Sequence, residues 1–255
     1  MECERTMKKM LRLFLILPLL ACGAATHDGQ FQIGDPTYSC TPPATTYRWA
    51  AYNSANTCSG GSTCTNGLGI DTLVDFISAN NATQTVSGNR MTYTTGGVNG
   101  LPVATGGSGK YFNVTIPLPT AVTYYAVVTG NGVLMSRNTG FTATLEWLFG
   151  NSQNTVNAAG AVFIGSGSPL PAATGYVGGV FQYNFSTHAW AFYNCASGTC
   201  TAAGSGTTAG IIYQPDAFGY DQGDGYFNGS IAEIGYFNST TTAGIGPWMA
   251  CKYGI

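Results

Sequence analysis

Charge is scarce in this chain: 8% of its 255 residues are Asp, Glu, Lys or Arg, and histidine occurs twice. Beyond residue 12 the basic residues are scattered, which excludes the gathered Lys and Arg that nucleic acid requires. Polyanionic glycans are disfavoured for the same reason. Long apolar runs are missing too, since Leu13 to Leu20 is too short to cross a bilayer. The chain has no Cys-x-x-Cys pair, and His27 and His188 stand apart, so the common zinc arrangements are absent. Neither a Gly-x-Ser-x-Gly elbow nor a glycine-rich phosphate loop leading into a helix occurs.

What the chain has instead is 36 Gly, 15 Tyr and 13 Phe among many Thr, Ser and Asn, a composition of short strands joined by tight turns. Residues 1–25 read as a signal peptide, with Lys8, Lys9 and Arg12 before the apolar run and small residues after it. Two processing patterns coexist there. Leu19-Leu20-Ala21-Cys22 has the form of a bacterial lipoprotein box, with Cys22 as the lipidated residue and the lipid as the only tie to a membrane; cleavage after Ala25 would instead free a soluble protein. Either pattern implies export to the cell surface or medium. Without Glu2, Glu4, Arg5, Lys8, Lys9 and Arg12, five basic and nine acidic residues remain, a net charge of −4.

Cysteines in an exported chain read as disulfides, and six lie beyond the leader. Cys58 and Cys64, and likewise Cys195 and Cys200, enclose only small flexible residues and suit local pairs. Cys40 and Cys251 then remain to tie the two ends of the domain, closing a loop of about 200 residues worth roughly 4–5 kcal/mol in the chain-entropy model.

Residues 26–44 carry Gly and Pro without periodicity and read as a linker or lead-in, with the folded domain over 45–255. Twelve strand-like runs follow, among them Tyr47 to Tyr52, Ala121 to Thr129, Val133 to Arg137, Thr142 to Phe149, Ala161 to Gly165, Gly210 to Gln214 and Ser230 to Phe237. Gly179 to Phe185 and His188 to Tyr193 form a hairpin across Ser186-Thr187. Asn228-Gly229 reads as a tight turn. The strand after it alternates Ile231, Glu233 and Gly235 with Ala232, Ile234 and Tyr236. Pro247 sits in the first turn of a short closing helix that Gly254 ends.

Three stretches carry a family resemblance. The ending Phe227-Asn-Gly-Ser-Ile-Ala-Glu233-Ile-Gly-Tyr236, with the terminal Lys252-Tyr253-Gly254, resembles that of concanavalin A-like (laminin G-like) domains. Asp71 to Gln84, then Gly97-Val-Asn-Gly-Leu-Pro-Val103, Lys110-Tyr-Phe-Asn113 and the strand Thr123 to Val128, are similar to that family's segments in the same order. The resemblance covers residues 45–255 and implies an all-β, two-sheet antiparallel jelly-roll sandwich with a short C-terminal helix, a fold that often binds glycans. Two departures affect helix length and turn shape, Thr240 to Gly246 in place of charged residues and Phe76 near a Ser-Gly turn position.

Glucanases of such a fold need two carboxylates about 5 Å apart. No strand here sets two on one face; Asp71 and Asp75, at i and i+4, come nearest, and their segment resembles a structural turn. The loop Asp216 to Tyr226 offers Asp216, Asp221 and Asp224 among glycines as candidate calcium ligands, and calcium is the cofactor this pattern suggests. Trp190, Tyr193, Tyr213, Tyr220 and Tyr226, in or beside the hairpin and this loop, are candidate platforms for sugar rings. Five Asn-x-Ser/Thr sequons begin at Asn81, Asn113, Asn184, Asn228 and Asn238. The function expected is non-catalytic binding of a glycan or cell-surface polysaccharide. A glycoside hydrolase or lyase, and a purely structural surface or appendage protein, are the alternatives.

Overall fold

The run Ala121 to Ser136 is rich in β-branched and aromatic residues and free of Pro, which suits a long pleated strand. In a computed structural model it is a single strand of 16 residues. The structure describes residues 40–136, 147–149, 156–158, 162–164, 175–207, 215–221 and 225–255. The strands that position the site are β1 (Tyr47–Ala50), β2 (Ile70–Leu73), β3 (Ala82–Thr83), β4 (Val103–Thr105), β5 (Phe112–Asn113) and β6 (Ala121–Ser136). They continue with β7 (Val177–Asn184), β8 (Ala189–Ala196), β9 (Thr199–Thr207), β10 (Ala217–Phe218) and β11 (Asn228–Phe237), and helix α1 (Ile245–Tyr253) follows. Residues 42–255 make one compact unit.

Two runs expected as separate strands are joined in β6, because Gly130 and Gly132, at φ of 109° and 108°, bend the strand without ending it. Before the bend β6 pairs antiparallel with β7 on one side and β11 on the other. After it, β6 pairs with β10 and with Trp147–Phe149. Hydrogen bonds therefore run from β9 through β8, β7, β6, β10, β5, β3 and β2 as one curled antiparallel sheet, a half-barrel. This mostly β architecture with one C-terminal helix agrees with the all-β expectation; the division into two separate jelly-roll sheets does not appear in the pairing, because β6 serves both halves. The expected hairpin is β7–β8, with Tyr183 opposite Trp190. The expected strand Gly210 to Gln214 lies outside the described residues, as does Thr142 to Glu146.

The Asn228-Gly229 pair is a second departure. Both residues are extended and open β11, where they lie opposite Asn131 and Gly130. Glycine is needed there for close approach, since a Cβ on Gly229 would fall 2.0 Å from the Thr129 carbonyl oxygen. A bulge between Ile231 and Glu233 shifts the register of β11. Ile231 thereby joins Ile234 and Tyr236 in the main core, beside Trp49, Phe112, Tyr124, Phe181, Phe192 and Phe218. Each such ring, fully buried, contributes roughly 1.5–3 kcal/mol.

The other face of β11 is covered as well. Helix α1 begins after Gly244, carries Pro247 in its first turn and ends at Gly254, whose N–H bonds the Ala250 carbonyl. Its buried residues include Trp248, Met249, Lys252 and Tyr253. Asn99 Nδ2 donates to the Lys252 carbonyl at 3.0 Å and so satisfies one group of the last turn.

Disulfides join Cys58 to Cys64 and Cys195 to Cys200, the second crosslinking the β8–β9 hairpin where these residues face each other. Cys40 and Cys251 are also disulfide-bonded. Bonded cysteines fit an oxidising, extracellular compartment. No described helix is long and apolar enough to cross a membrane.

Candidate functional site

Short polar side chains compete for backbone hydrogen bonds, and Asp75 does so repeatedly. Its Oδ1 accepts from the backbone N–H of Arg48 at 2.8 Å and of Ile77 at 3.1 Å; its Oδ2 accepts from the Ser78 N–H and hydroxyl. Trp49, whose ring packs in the core, sends its Nε1–H to the Asn80 carbonyl at 2.6 Å. Residues 75–81 are thus fastened from below. They present Ala79, Asn80 and Asn81 along one wall of an open cleft of about 490 Å³, completed by Thr83, Asn113, Val114, Thr115 and Asp216.

The polar lining has a simple origin. Asn81-Ala82-Thr83 and Asn113-Val114-Thr115 are two Asn-x-Thr segments at strand spacing, so that Ala82 and Val114 turn into the core while the flanking residues turn outward. Pairing of β3 with β5 sets Thr83 opposite Asn113, and the Asn81 side chain is held by the Asp75 N–H, which donates to its Oδ1 at 3.0 Å. Asp216 adds a carboxylate, and its carbonyl accepts from the Val114 N–H at 2.8 Å. Asn80 Nδ2 is buried and has no hydrogen-bond partner among the described residues.

Along the same outward face of the strand, Tyr111 precedes Asn113 by two residues. Its ring stacks on Tyr220 at 5.0 Å and 29°, and Tyr220 stacks on Tyr226 at 4.8 Å and 25°. All three rings are half-buried. The Ser136 hydroxyl donates to the Tyr220 carbonyl and anchors the middle ring's backbone.

The structure gathers some of the residues singled out in the sequence and separates others. Asp216 borders the cleft, and Tyr220 and Tyr226 belong to the stack beside it. Trp190 is only 7% exposed and packs against Phe192 in the core. Tyr193 lies on β8, with its hydroxyl donating to Gln182 Oε1 at 3.3 Å. Tyr213 and Asp224 lie outside the described residues, and only the backbone of Asp221 is described. Among the described residues no group of three or more His, Cys, Asp or Glu side chains could hold a metal ion. Asp71 does not pair with Asp75: Arg90 Nε approaches Asp71 Oδ1 at 2.6 Å while directing its N–H to the Gln84 carbonyl. Asn80, Thr83, Thr115 and Tyr111 carry no site signal in the sequence, and Asn81 and Asn113 read there only as sequons, although both of these Asn-x-Thr segments border the cleft.

No family model matches the chain, and no curated protein does. Solved structures of similar shape include Trypanosoma rangeli sialidase in complex with the inhibitor DANA, at 14% identity and a TM-score of 0.44. That match covers 97% of this chain and 38% of the sialidase. A mutant of the same sialidase displaying trans-sialidase activity matches at 13% identity and a TM-score of 0.44, over 84% of this chain and 33% of that one. Likeness at this level carries no argument about this chain, which spans less than two fifths of the sialidase length.

A second polar cluster lies beneath α1 and is closed to solvent. Glu233 is fully buried and accepts four hydrogen bonds. Oε1 receives Tyr125 Oη at 2.5 Å and Trp248 Nε1 at 2.7 Å; Oε2 receives Tyr52 Oη at 2.6 Å and Tyr253 Oη at 2.8 Å. Every lone pair of an ionised carboxylate is thereby used. The Arg48 guanidinium lies 4.5 Å from the Phe76 ring centre and 5.2 Å from that of Trp248, and Lys252 Nζ stands 3.7 Å over Tyr52. Burial works against the Arg48 charge, but Glu233 and the surrounding tyrosines outweigh it and hold the guanidinium above its ordinary value. Burial first, and the Glu233 charge second, push the hydroxyls of Tyr52, Tyr125 and Tyr253 well above theirs. A carboxylate so occupied has no lone pair left for a substrate proton. Its role is to fasten α1 to the sheet.

Proposed function

We propose that residues 45–255 form a concanavalin A-like, non-catalytic glycan-binding module of an exported protein, with the cleft between β3 and β5 as its binding site. The observation that carries the reading is the continuity of two kinds of surface on one strand face. Amide, hydroxyl and carboxylate groups line the cleft, and a half-exposed tyrosine stack adjoins it. Sugars present the matching features, hydroxyls for the first and C–H faces for the second. Backbone fastening by Asp75 and Trp49 preforms one wall, which lowers the ordering cost of binding.

Binding is favoured over hydrolysis because Asp216 is the carboxylate among the described lining residues, whereas glycoside hydrolysis uses a pair. Calcium held by Asp216, Asp221 and Asp224 would brace the loop beside the stack, and we include it in the proposal as a dependence to be measured. The test is a glycan array followed by calorimetry, with and without chelator, on the wild type and on Asn113→Ala. Saturable binding that Asn113→Ala weakens supports the reading. Release of reducing ends from the bound glycan would replace it with the hydrolase reading, and absence of binding to every glycan would replace it with a structural role.

A further inference from the structure

We infer that β9 is a docking edge for a second copy of this chain, which pairs with it strand to strand about a two-fold axis. A strand at the edge of a sheet carries a row of backbone N–H and C=O groups that another strand satisfies in full. β9 ends the main sheet: it pairs with β8 on one side and, among the described residues, with no strand on the other. Thr199, Thr201, Ala202, Ser205, Gly206 and Thr207 are exposed along its nine residues.

Edges of this length are ordinarily blunted by lysine, by proline or by an inward-pointing charge. β9 carries none of these; its one irregularity is a bulge at Ala203, and the residues on either side of it stay extended. The lack of charge reaches well beyond the strand. Residues 147–215 contain no Asp, Glu, Lys or Arg, so β7, β8 and β9 are free of all four while the mature chain carries a net charge of −4. Depletion of charge is the compositional mark of an interface core. Here it also removes the repulsion that two identical anionic molecules would meet at a self-complementary contact.

Strand length selects the partner. The other strands of the main sheet with a single strand partner are Tyr47–Ala50, Ser62–Thr63, Thr92–Thr94 and Trp147–Phe149, and they run for two to four residues. Among the described residues, a second β9 is thus the match for the full row. An antiparallel pair of identical strands is two-fold symmetric, so each copy satisfies the same groups in the other. The edge is also held in shape before it docks. Ser197 and Gly198, at φ of 49° and 82°, make the tight turn from β8, and the Cys195–Cys200 disulfide closes the hairpin beside it. Little ordering cost therefore opposes docking.

The experiment is sedimentation velocity of the purified mature chain over a concentration series from about 1 to 500 μM, with hydrogen exchange measured at both ends of the series. A contact made by one strand edge lies at the small end of interface sizes, so a dimer Kd of about 10–100 μM is expected. Amides of β9 should exchange more slowly at the high concentration than at the low one. Ser205→Lys puts an ammonium group on the edge of each copy and should raise Kd about tenfold or more, while Ser205→Asn, polar and uncharged, should leave it within about threefold. Added salt should recover part of the loss in the lysine variant. Thermal melts check that both variants keep the fold. A monomer over the whole series would overturn the inference, as would a dimer that leaves the β9 amides unprotected or that the folded Ser205→Lys variant forms equally well.

Discussion

Trp248 Nε1 donates to Glu233 Oε1 across 2.7 Å, and that bond ties α1 to the face of β11 turned away from the main core. Tyr253, five residues further along the helix, donates to the other carboxylate oxygen. One acidic side chain thus holds both ends of the helix. Burying an ionised carboxylate costs several kcal/mol, and only a full set of charge-assisted hydrogen bonds offsets it.

Glu233→Gln keeps the shape and removes the charge. Arg48 then lies buried without its anion, and the amide nitrogen faces hydroxyl donors. The expected loss is about 3–5 kcal/mol, read as a lower urea midpoint. A variant within about 1 kcal/mol of wild type would show that the charge is dispensable.

Gly235 lies opposite Tyr125 and Arg48, and the Tyr125 ring crosses it on the way to Glu233. A Cβ at this position would fall 1.9 Å from the ring. Gly235→Ala is therefore expected to displace Tyr125 and cost about 2–4 kcal/mol through overpacking and the lost hydrogen bond. Calorimetric unfolding of the alanine variant alongside Tyr125→Phe measures it. If the two changes add fully in the double variant, the proposed coupling is wrong.

Alkaline pH should weaken the fold. Tyr52, Tyr124, Tyr125 and Tyr253 all have hydroxyls held well above their ordinary value, chiefly by burial. Up to about pH 10 both states keep these protons. Above it the unfolded chain releases them while the native state does not, so stability falls as pH rises, by about 1.4 kcal/mol per unit for each such group. Denaturation midpoints between about pH 8 and 11 test this, and a flat profile would refute it.

Asp75→Ala should act at a distance from the cleft surface. It removes the acceptor for Arg48, Ile77 and Ser78 and releases the wall that carries Asn80 and Asn81. We expect a stability loss of about 2–3 kcal/mol and glycan affinity weakened about tenfold. Stability lost with affinity intact would separate the loop from the site.

Local patterns made the strands legible, and what escaped them depended on pairing. Alternation in β11 reads cleanly from Ile231 to Tyr236, yet the bulge at Glu233 moves Ile231 into the core, and the register that imposes it comes from β6, about 100 residues away. Gly130 and Gly132 look like a turn in the sequence because positive φ serves turns and bends alike. Asp216, Tyr220 and Tyr226 stood out by composition. Asn113 and Thr115 read only as a sequon, since that Thr83 lies opposite Asn113 beside a cleft depends on strand pairing that the local sequence does not carry. In the sequence Glu233 has no partner in sight, because its four donors come from β6, from the helix and from the loop after β1.

Because β6 is hydrogen-bonded in both halves of the sheet, neither half can open without stripping a strand that the other half also uses. Amides near Val127 and near Leu134 should then exchange with solvent at the same slow rate, through whole-domain opening rather than through separate local events. A glycan bound at β5, which reaches β6 through β10, would slow both together.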